Sequence, residues 1–309
     1  LKTAIIIFYL PPNFFPVSKK HILVTGANGQ LGNEFRVLAP AYKSFTFYFT
    51  DKEELAIDDP LAIERYFAGK KIDYCINCAA YTAVDKAEEE KETAFEINAT
   101  AVRSLARSCK KHNARLIHIS TDYVFDGNAV VPYKESGKTD PVNLYGQSKL
   151  EGERFAMENN EQSIVIRTSW LYSSYGKNFV KTMIRLMQEK ERIGVVNDQS
   201  GSPTYAADLA GAILQIIAEN DSPKAGIYHY SNKGIISWYD FAVAIKELLH
   251  SNCKVEPIPA AAYPTPAQRP GYSAFDTTKI ERQFGIVIPG WKESLVKCVA
   301  LLEERGNFF

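Results

Sequence analysis

Through the first two hundred residues, short apolar runs alternate with longer segments in which apolar positions recur every three to four residues. Runs of strand length bounded by turn residues read as buried strands, and the longer period reads as amphipathic helix. This pattern predicts strands over His21–Thr25, Phe45–Phe49, Tyr74–Asn77, Arg115–Ser120, Ile164–Thr168 and Ile193–Val196. Between them it predicts helices over Gln30–Leu38, Pro60–Ala68, Lys86–Lys111, Asn143–Asn159 and Phe179–Lys190. Strictly alternating strands and helices imply βαβ units, hence an α/β fold with a doubly wound parallel sheet. After Trp170 the pattern loosens into helices over Tyr205–Glu219 and Ser237–Leu249, a Pro-rich loop from Pro257 to Pro270, and a closing helix over Trp291–Glu304. That stretch reads as a second, smaller α/β lobe. Residues 193–219 have the pattern to rejoin the main sheet, so the expected division is discontinuous: 18–170 with 193–220 in the first lobe, 171–192 with 221–309 in the second. Residues 1–17 precede the pattern, either as a surface arm or as a leader before a natural start near Val17, and their apolar run Ala4–Leu10 is too short to span a membrane.

Composition narrows the picture. A chain of 309 residues exceeds what one hydrophobic core usually organises, which supports two lobes and a cleft between them. With 36 basic and 36 acidic residues the net charge is zero, leaving no electrostatic footprint for nucleic acid or an anionic membrane. Five scattered cysteines fit a reducing, cytoplasmic setting rather than a disulfide framework. Cys75 and Cys78 lie three apart on a predicted strand, so they point to opposite faces and read as core residues, and no metal site is expected.

The chemistry begins right after the first strand, at Gly26-Ala-Asn28-Gly29-Gln30-Leu31-Gly32, where a helix then starts. Gly26 permits the tight turn, Gly29 lets backbone approach a pyrophosphate, and Gly32 lets the helix pack on the strand. The helix N-terminus offers free N–H groups and a positive dipole end to the anion. A glycine turn in this setting reads as a dinucleotide site, and the first lobe as an NAD(P)-binding, Rossmann-like domain. Asp51 ends the second strand where an acidic side chain takes the adenosine ribose hydroxyl, which favours NADH; the adjacent Lys52 could pair with a 2′-phosphate, which favours NADPH. Asp58 reads equally as a residue beside the adenine or as the N-cap of the helix at Pro60. Ala79, Ala80, Tyr81 and Thr82 follow the third strand, near where pyrophosphate and nicotinamide ribose would lie.

Tyr145-Gly-Gln-Ser-Lys149 puts a phenol and an ammonium on one face of a helix. The same spacing at Tyr48/Lys52 and Tyr66/Lys70 lacks the right position; only Tyr145 follows the fourth strand and its terminal Ser120-Thr121. Reducing a carbonyl needs a proton for the developing alkoxide, and a free phenol titrates near 10. Lys149 is expected to lower that value and to contact the nicotinamide ribose, while Thr121 donates its hydroxyl to the substrate oxygen.

At this point the chain resembles the dTDP-4-dehydrorhamnose reductase family of extended short-chain dehydrogenases. The likeness runs through Thr25-Gly-Ala-Asn-Gly-Gln-Leu-Gly32, Ala79-Ala-Tyr-Thr-Ala-Val-Asp-Lys-Ala-Glu88, Asn98, Ser120-Thr-Asp-Tyr-Val-Phe-Asp-Gly127, Tyr145–Lys149, Arg167-Thr-Ser-Trp170, Gly176-Lys-Asn-Phe179, Asp198-Gln-Ser-Gly-Ser-Pro-Thr204 and Arg269-Pro270. The resemblance implies NAD(P)H-dependent reduction of a dTDP-sugar C4 ketone, with Thr121, Tyr145 and Lys149 catalytic. It places Asn28, Gln30, Leu31 and Asn98 with the cofactor, Asp122 and Trp170 near the sugar, and Asn178 and Arg269 with the substrate, Arg269 on its diphosphate. Some members hold Mg²⁺ between subunits on adjacent carboxylates, but here that place reads Ala207-Asp208, so neither the ion nor its dimer is expected; monomer and homodimer stay open. Two rivals share these motifs: a sugar-nucleotide epimerase or dehydratase, and a regulatory subunit like that of methionine adenosyltransferase. A serine hydrolase is disfavoured by the lack of a G-x-S-x-G elbow.

Overall fold

The computed structural model describes residues 19–220 and 222–306, so the N-terminal extension 1–17 lies outside the described residues. The chain begins β1 (Lys20–Thr25), α1 (Gln30–Leu38), β2 (Phe45–Thr50), α2 (Pro60–Ala68) and β3 (Tyr74–Asn77). It continues α3 (Lys91–Phe95), α4 (Ala101–Lys111), β4 (Arg115–Thr121), α5 (Leu144–Asn159) and β5 (Ile164–Thr168). Then come β6 (Leu171–Tyr172), α6 (Phe179–Glu189), β7 (Arg192–Val196), β8 (Ser200–Gly201), β9 (Thr204–Tyr205) and α7 (Ala206–Glu219). The chain closes with β10 (Gly226–His229), β11 (Ile236–Ser237), α8 (Trp238–Leu248), β12 (Lys254–Ile258), α9 (Thr278–Phe284) and α10 (Trp291–Glu304).

Six strands form one parallel sheet in the order β10-β5-β4-β3-β1-β2. Alternation along each strand sends successive side chains to opposite faces. Ile22 and Val24 therefore join one core, under α1 and α7, while Leu23 joins the other, under α2 and α4. Cys75 packs in the second core and Cys78 against the first, on opposite faces as expected. All five thiols are free.

Strand β7 departs from the idea that 193–219 rejoins the main sheet. It pairs in parallel with β12, while the sheet's sixth strand is β10, paired with β5. The burial of β7 alternates between exposed and buried positions, whereas every residue of β5 is buried. A strand covered on one face only suits the edge of a small sheet, not a place between helices. The helical half of the segment does return, since α7 packs its Leu209, Ile213 and Ile216 into the core shared with α1. The second lobe has its own core around Tyr172, Phe241, Ile245, Trp291 and Leu295.

The long helix expected over Lys86–Lys111 is interrupted. A short 3₁₀ turn, α3, and a π-helical turn at Glu96–Thr100 precede α4. The π turn carries Asn98, whose side chain binds Tyr81 and Ser148.

Candidate active site

In an open α/β sheet, ligands bind beyond the carboxyl ends of the strands near the point where strand order reverses. Here that edge opens into a cleft of about 1080 Å³. Its lining includes residues at or just past the ends of five strands: Gly26, Asp51, Cys78 with Ala79, Thr121 with Asp122, and Ser169 with Trp170. The volume is at the top of the range of roughly 300–1,000 Å³ usual for a single small ligand.

At one end sits the glycine turn. Gly26 has φ +61, in the left-handed region, and Asp51 Oδ2 accepts from the Asn28 N–H at 2.9 Å, fixing the turn to the end of β2. A Cβ on Gly29 would meet only the Gly26 carbonyl oxygen, at 3.2 Å, so the space beside it is open. Gly29 is also the N-cap of α1 without any side-chain cap, which leaves first-turn N–H groups to a ligand. The turn therefore fits a pyrophosphate. Gln30, Leu31, Gly32 and Lys52 line the same wall, whereas Asn28 is exposed and not part of the lining. Asp58 also lines the cleft; the N-cap of α2 is its neighbour Asp59, which accepts from Leu61 N and Ala62 N, so the capping alternative for Asp58 falls away.

Ala79, Ala80, Tyr81 and Thr82 form the next stretch of wall. Asn98 does not reach the cleft but holds this stretch: its Oδ1 accepts from Tyr81 N at 2.9 Å, and its Nδ2 donates to Tyr81 O at 3.0 Å and Ser148 Oγ at 2.9 Å.

The centre is built by α5 lying on the end of β4. Asn143 caps α5, accepting from Gly146 N at 2.8 Å. A Cβ on Gly146 would come within 2.1 Å of the Tyr123 carbonyl, so only glycine lets this helix approach closely enough to bring Tyr145 beside Thr121. The Tyr145 ring meets Tyr123 edge-on, with centroids 5.5 Å apart.

The electrostatics differ from expectation. Burial, foremost, raises the Tyr145 phenol above its ordinary value; the Thr121 hydroxyl opposes this and the Asp122 carboxylate adds to it. Lys149 is buried on the same helix. Its Nζ donates to the Ile119 carbonyl at 2.6 Å, and burial brings its own pKa down to about 8, against the pull of Glu153 and Cys78. Thr121 Oγ1 donates to Asp122 Oδ1 at 3.0 Å and accepts from Tyr123 N at 3.2 Å, so its one hydrogen is directed at Asp122 rather than into the cleft. Asp122 is buried, its Oδ2 has no hydrogen-bond partner among the described residues, and burial raises its pKa to about 6, with the Ser273 and Thr121 hydroxyls opposing.

The far wall carries Trp170 at φ +47, an uncommon conformation for a bulky residue. Its ring stacks on Trp238, centroids 3.5 Å apart and planes 10° from parallel. Trp238, like Phe179 and Lys177, lines the cleft. Nothing in local sequence marked Trp238, because its partner is far away along the chain. Asn178 sits just behind, capping α6 and donating from Nδ2 to Gln30 Oε1 at 2.9 Å. Arg269 is not among the lining residues: its guanidinium grips Asp85 at 2.6 and 2.8 Å. The carboxylate of Asp208 accepts from Asn232 Nδ2 and Ser294 Oγ, inside the fold.

Comparison with known proteins bears on the same span. The family described as RmlD substrate binding domain matches residues 20–304. The dTDP-4-dehydrorhamnose reductase of Aggregatibacter actinomycetemcomitans is 40% identical over 291 residues, covering 91% of this chain and 99% of that protein. Among solved structures, the dTDP-4-dehydrorhamnose reductase of Clostridium acetobutylicum superposes with a TM-score of 0.88 at 43% identity, over 92% of this chain and 99% of that one. The Bacillus anthracis reductase, solved in complex with NADP, superposes with a TM-score of 0.87 at 40% identity over the same shares.

Proposed function

Since the chain belongs to the dTDP-4-dehydrorhamnose reductase family, we infer that Thr121, Tyr145 and Lys149 are the groups with which it handles its ketone substrate. The protein is an NADPH-dependent oxidoreductase of dTDP-rhamnose biosynthesis, reducing the C4 ketone of dTDP-4-dehydro-L-rhamnose. The observation that carries the residue assignment is the meeting of glycine turn, Tyr145 and Thr121 in one cleft at the strand ends.

When bound, NADPH supplies the hydride. The chain's own residues supply the proton and the alignment. Tyr145, a phenol that is protonated at neutral pH and that burial holds more firmly so, donates its phenolic proton to the substrate oxygen as negative charge develops there. Thr121 aligns that oxygen once its hydroxyl turns from Asp122, a turn that leaves the buried carboxylate needing another donor. A sugar hydroxyl is chemically suited to be that donor, in keeping with an Asp122 near the sugar. Lys149, mostly charged at neutral pH, stabilises the phenolate left behind and is placed to reach the nicotinamide ribose. Trp170, stacked on Trp238, offers a flat apolar wall to the hexose.

In this reading residues up to 170, with α7 and β10, hold the cofactor, and the segments around α6, α8 and α10 hold the sugar nucleotide. A cytoplasmic enzyme fits the five free thiols. Asp208 is occupied within the fold, so no ion-bridged dimer is included. Purified protein offered dTDP-4-dehydro-L-rhamnose should oxidise NADPH, followed by absorbance. Absence of turnover with both NADPH and NADH would refute the assignment.

A further inference from the structure

The cleft of a reductase acting on a dTDP-sugar must hold two diphosphates, the cofactor's and the sugar nucleotide's. The first turn of α1 offers N–H groups to one. Another needs a cation, and the only basic residues lining the cleft among the described residues are Lys52, Lys149 and Lys177. Lys52 stands beside Asp51 at the end of β2, away from the sugar. The ammonium of Lys149 is engaged with the Ile119 carbonyl beside Tyr145. Arg269, the residue expected to meet the substrate diphosphate, is held by Asp85 in a two-bond ion pair.

Lys177 is different. It is exposed, and its side chain makes no hydrogen bond or ion pair with any described residue. Its backbone is nevertheless firmly placed. Gly176 before it has φ +62, and a Cβ there would lie 2.9 Å from Gln30 Cγ, so the segment is pressed against the first residue of α1. Asn178 after it donates to Gln30 Oε1 at 2.9 Å and to Ser173 O at 2.7 Å. A free ammonium thus rises from an anchored base, in the seam between the phosphate turn and the Trp170–Trp238 wall.

We propose that Lys177 is a diphosphate-binding residue, its ammonium pairing with the diphosphate that enters between the glycine turn and the tryptophan wall. This rests on the reductase reading only in naming the sugar nucleotide as one of two sources, the cofactor being the other. Lysine suits the task as a point charge on a long stem that needs no fixed fork geometry. Because the anchored Gly176 and Asn178 position its backbone, little besides the side chain is ordered when the anion arrives.

The test uses the full chain and compares it with Lys177→Ala and Lys177→Arg at fixed ionic strength. KM values for dTDP-4-dehydro-L-rhamnose and for NADPH are measured separately, and dTDP is titrated calorimetrically into the protein saturated with NADP⁺. If the diphosphate is the sugar nucleotide's, Lys177→Ala raises the KM for the sugar and the Kd for dTDP by about tenfold, NADPH affinity holds, and Lys177→Arg restores most of the loss. If it is the cofactor's, the KM for NADPH rises instead and dTDP binding holds. Changes below twofold in every one of these affinities would overturn the proposal. Should the parent bind dTDP in a Lys177-dependent way yet fail to turn over the 4-keto sugar, the proposal stands and the reductase reading falls.

Discussion

One hydrogen atom, that of the Thr121 hydroxyl, has two claimants in this site. With no substrate present it is directed at Asp122 Oδ1, and the other carboxylate oxygen is buried without a partner among the described residues. A buried carboxylate in that position prefers its proton, which is why its pKa stands near 6 instead of the usual 3.8. The linkage has a definite sign. Between roughly pH 4 and 6 the folded protein binds more protons at Asp122 than the unfolded chain, so the contribution of this one group to stability is fully present below that window and is lost as pH rises through it. Asp122→Asn removes the titration while keeping an oxygen for Thr121. The variant should therefore gain stability relative to the parent as pH is raised from 4 to 7, by roughly 2 kcal/mol for a rise from 3.8 to about 6. Urea unfolding at both pH values checks this, and parallel pH curves for parent and variant would rule it out. Tyr145 and Lys149 were legible from spacing and place in the βαβ order. The state of their protons was not, because that depends on burial and on Asp122 and Ile119, groups met only in three dimensions.

At the scale of elements, α5 is the beam on which the site rests. Its Glu153 accepts from two nitrogens of Arg167, at 2.8 and 2.7 Å, and from the Ser120 hydroxyl, at 2.5 Å, with Arg167 and Glu153 each only 2% exposed. The pair ties α5 to the ends of β4 and β5, next to Thr121 and Trp170. Such a pair gives modest net stability, but removing one partner strands a buried charge and costs about 3–5 kcal/mol. Arg167→Met should lose stability in that range by denaturant unfolding; a loss under 1 kcal/mol would contradict it. Gly152 faces the same constraint as Gly146, since a Cβ there would sit 2.0 Å from the Asn98 carbonyl. These close approaches explain why glycines occur inside a helix that propensity alone would deny them. Most elements could be read from periodicity. The π turn and the pairing of β7 with β12 could not, because the first is set by what Asn98 binds and the second by which partner covers the strand.

Across the whole molecule the two lobes are joined beside the cofactor turn rather than by a simple hinge. The loop over residues 173–178 reaches α1 through Ser173 on Glu34 and Asn178 on Gln30, and residues just past α10 bind it through Arg305 on Ser174 and Tyr175. The glycine-turn helix and the loop leading into α6 thus share one set of contacts. A linear sequence could announce both lobes but not this seam, which unites positions more than a hundred residues apart. The role proposed for Tyr145 is to give up the proton in the reduction carried out in this cleft. Its most direct test is the NADPH-dependent turnover of the 4-keto sugar by Tyr145→Phe, with Tyr48→Phe and Tyr66→Phe as controls that share the spacing but not the position. Tyr145→Phe should lower kcat by roughly 10²–10⁴-fold, with NADPH affinity near the parent's and both controls within a few-fold of it. Near-normal turnover by folded Tyr145→Phe would contradict it.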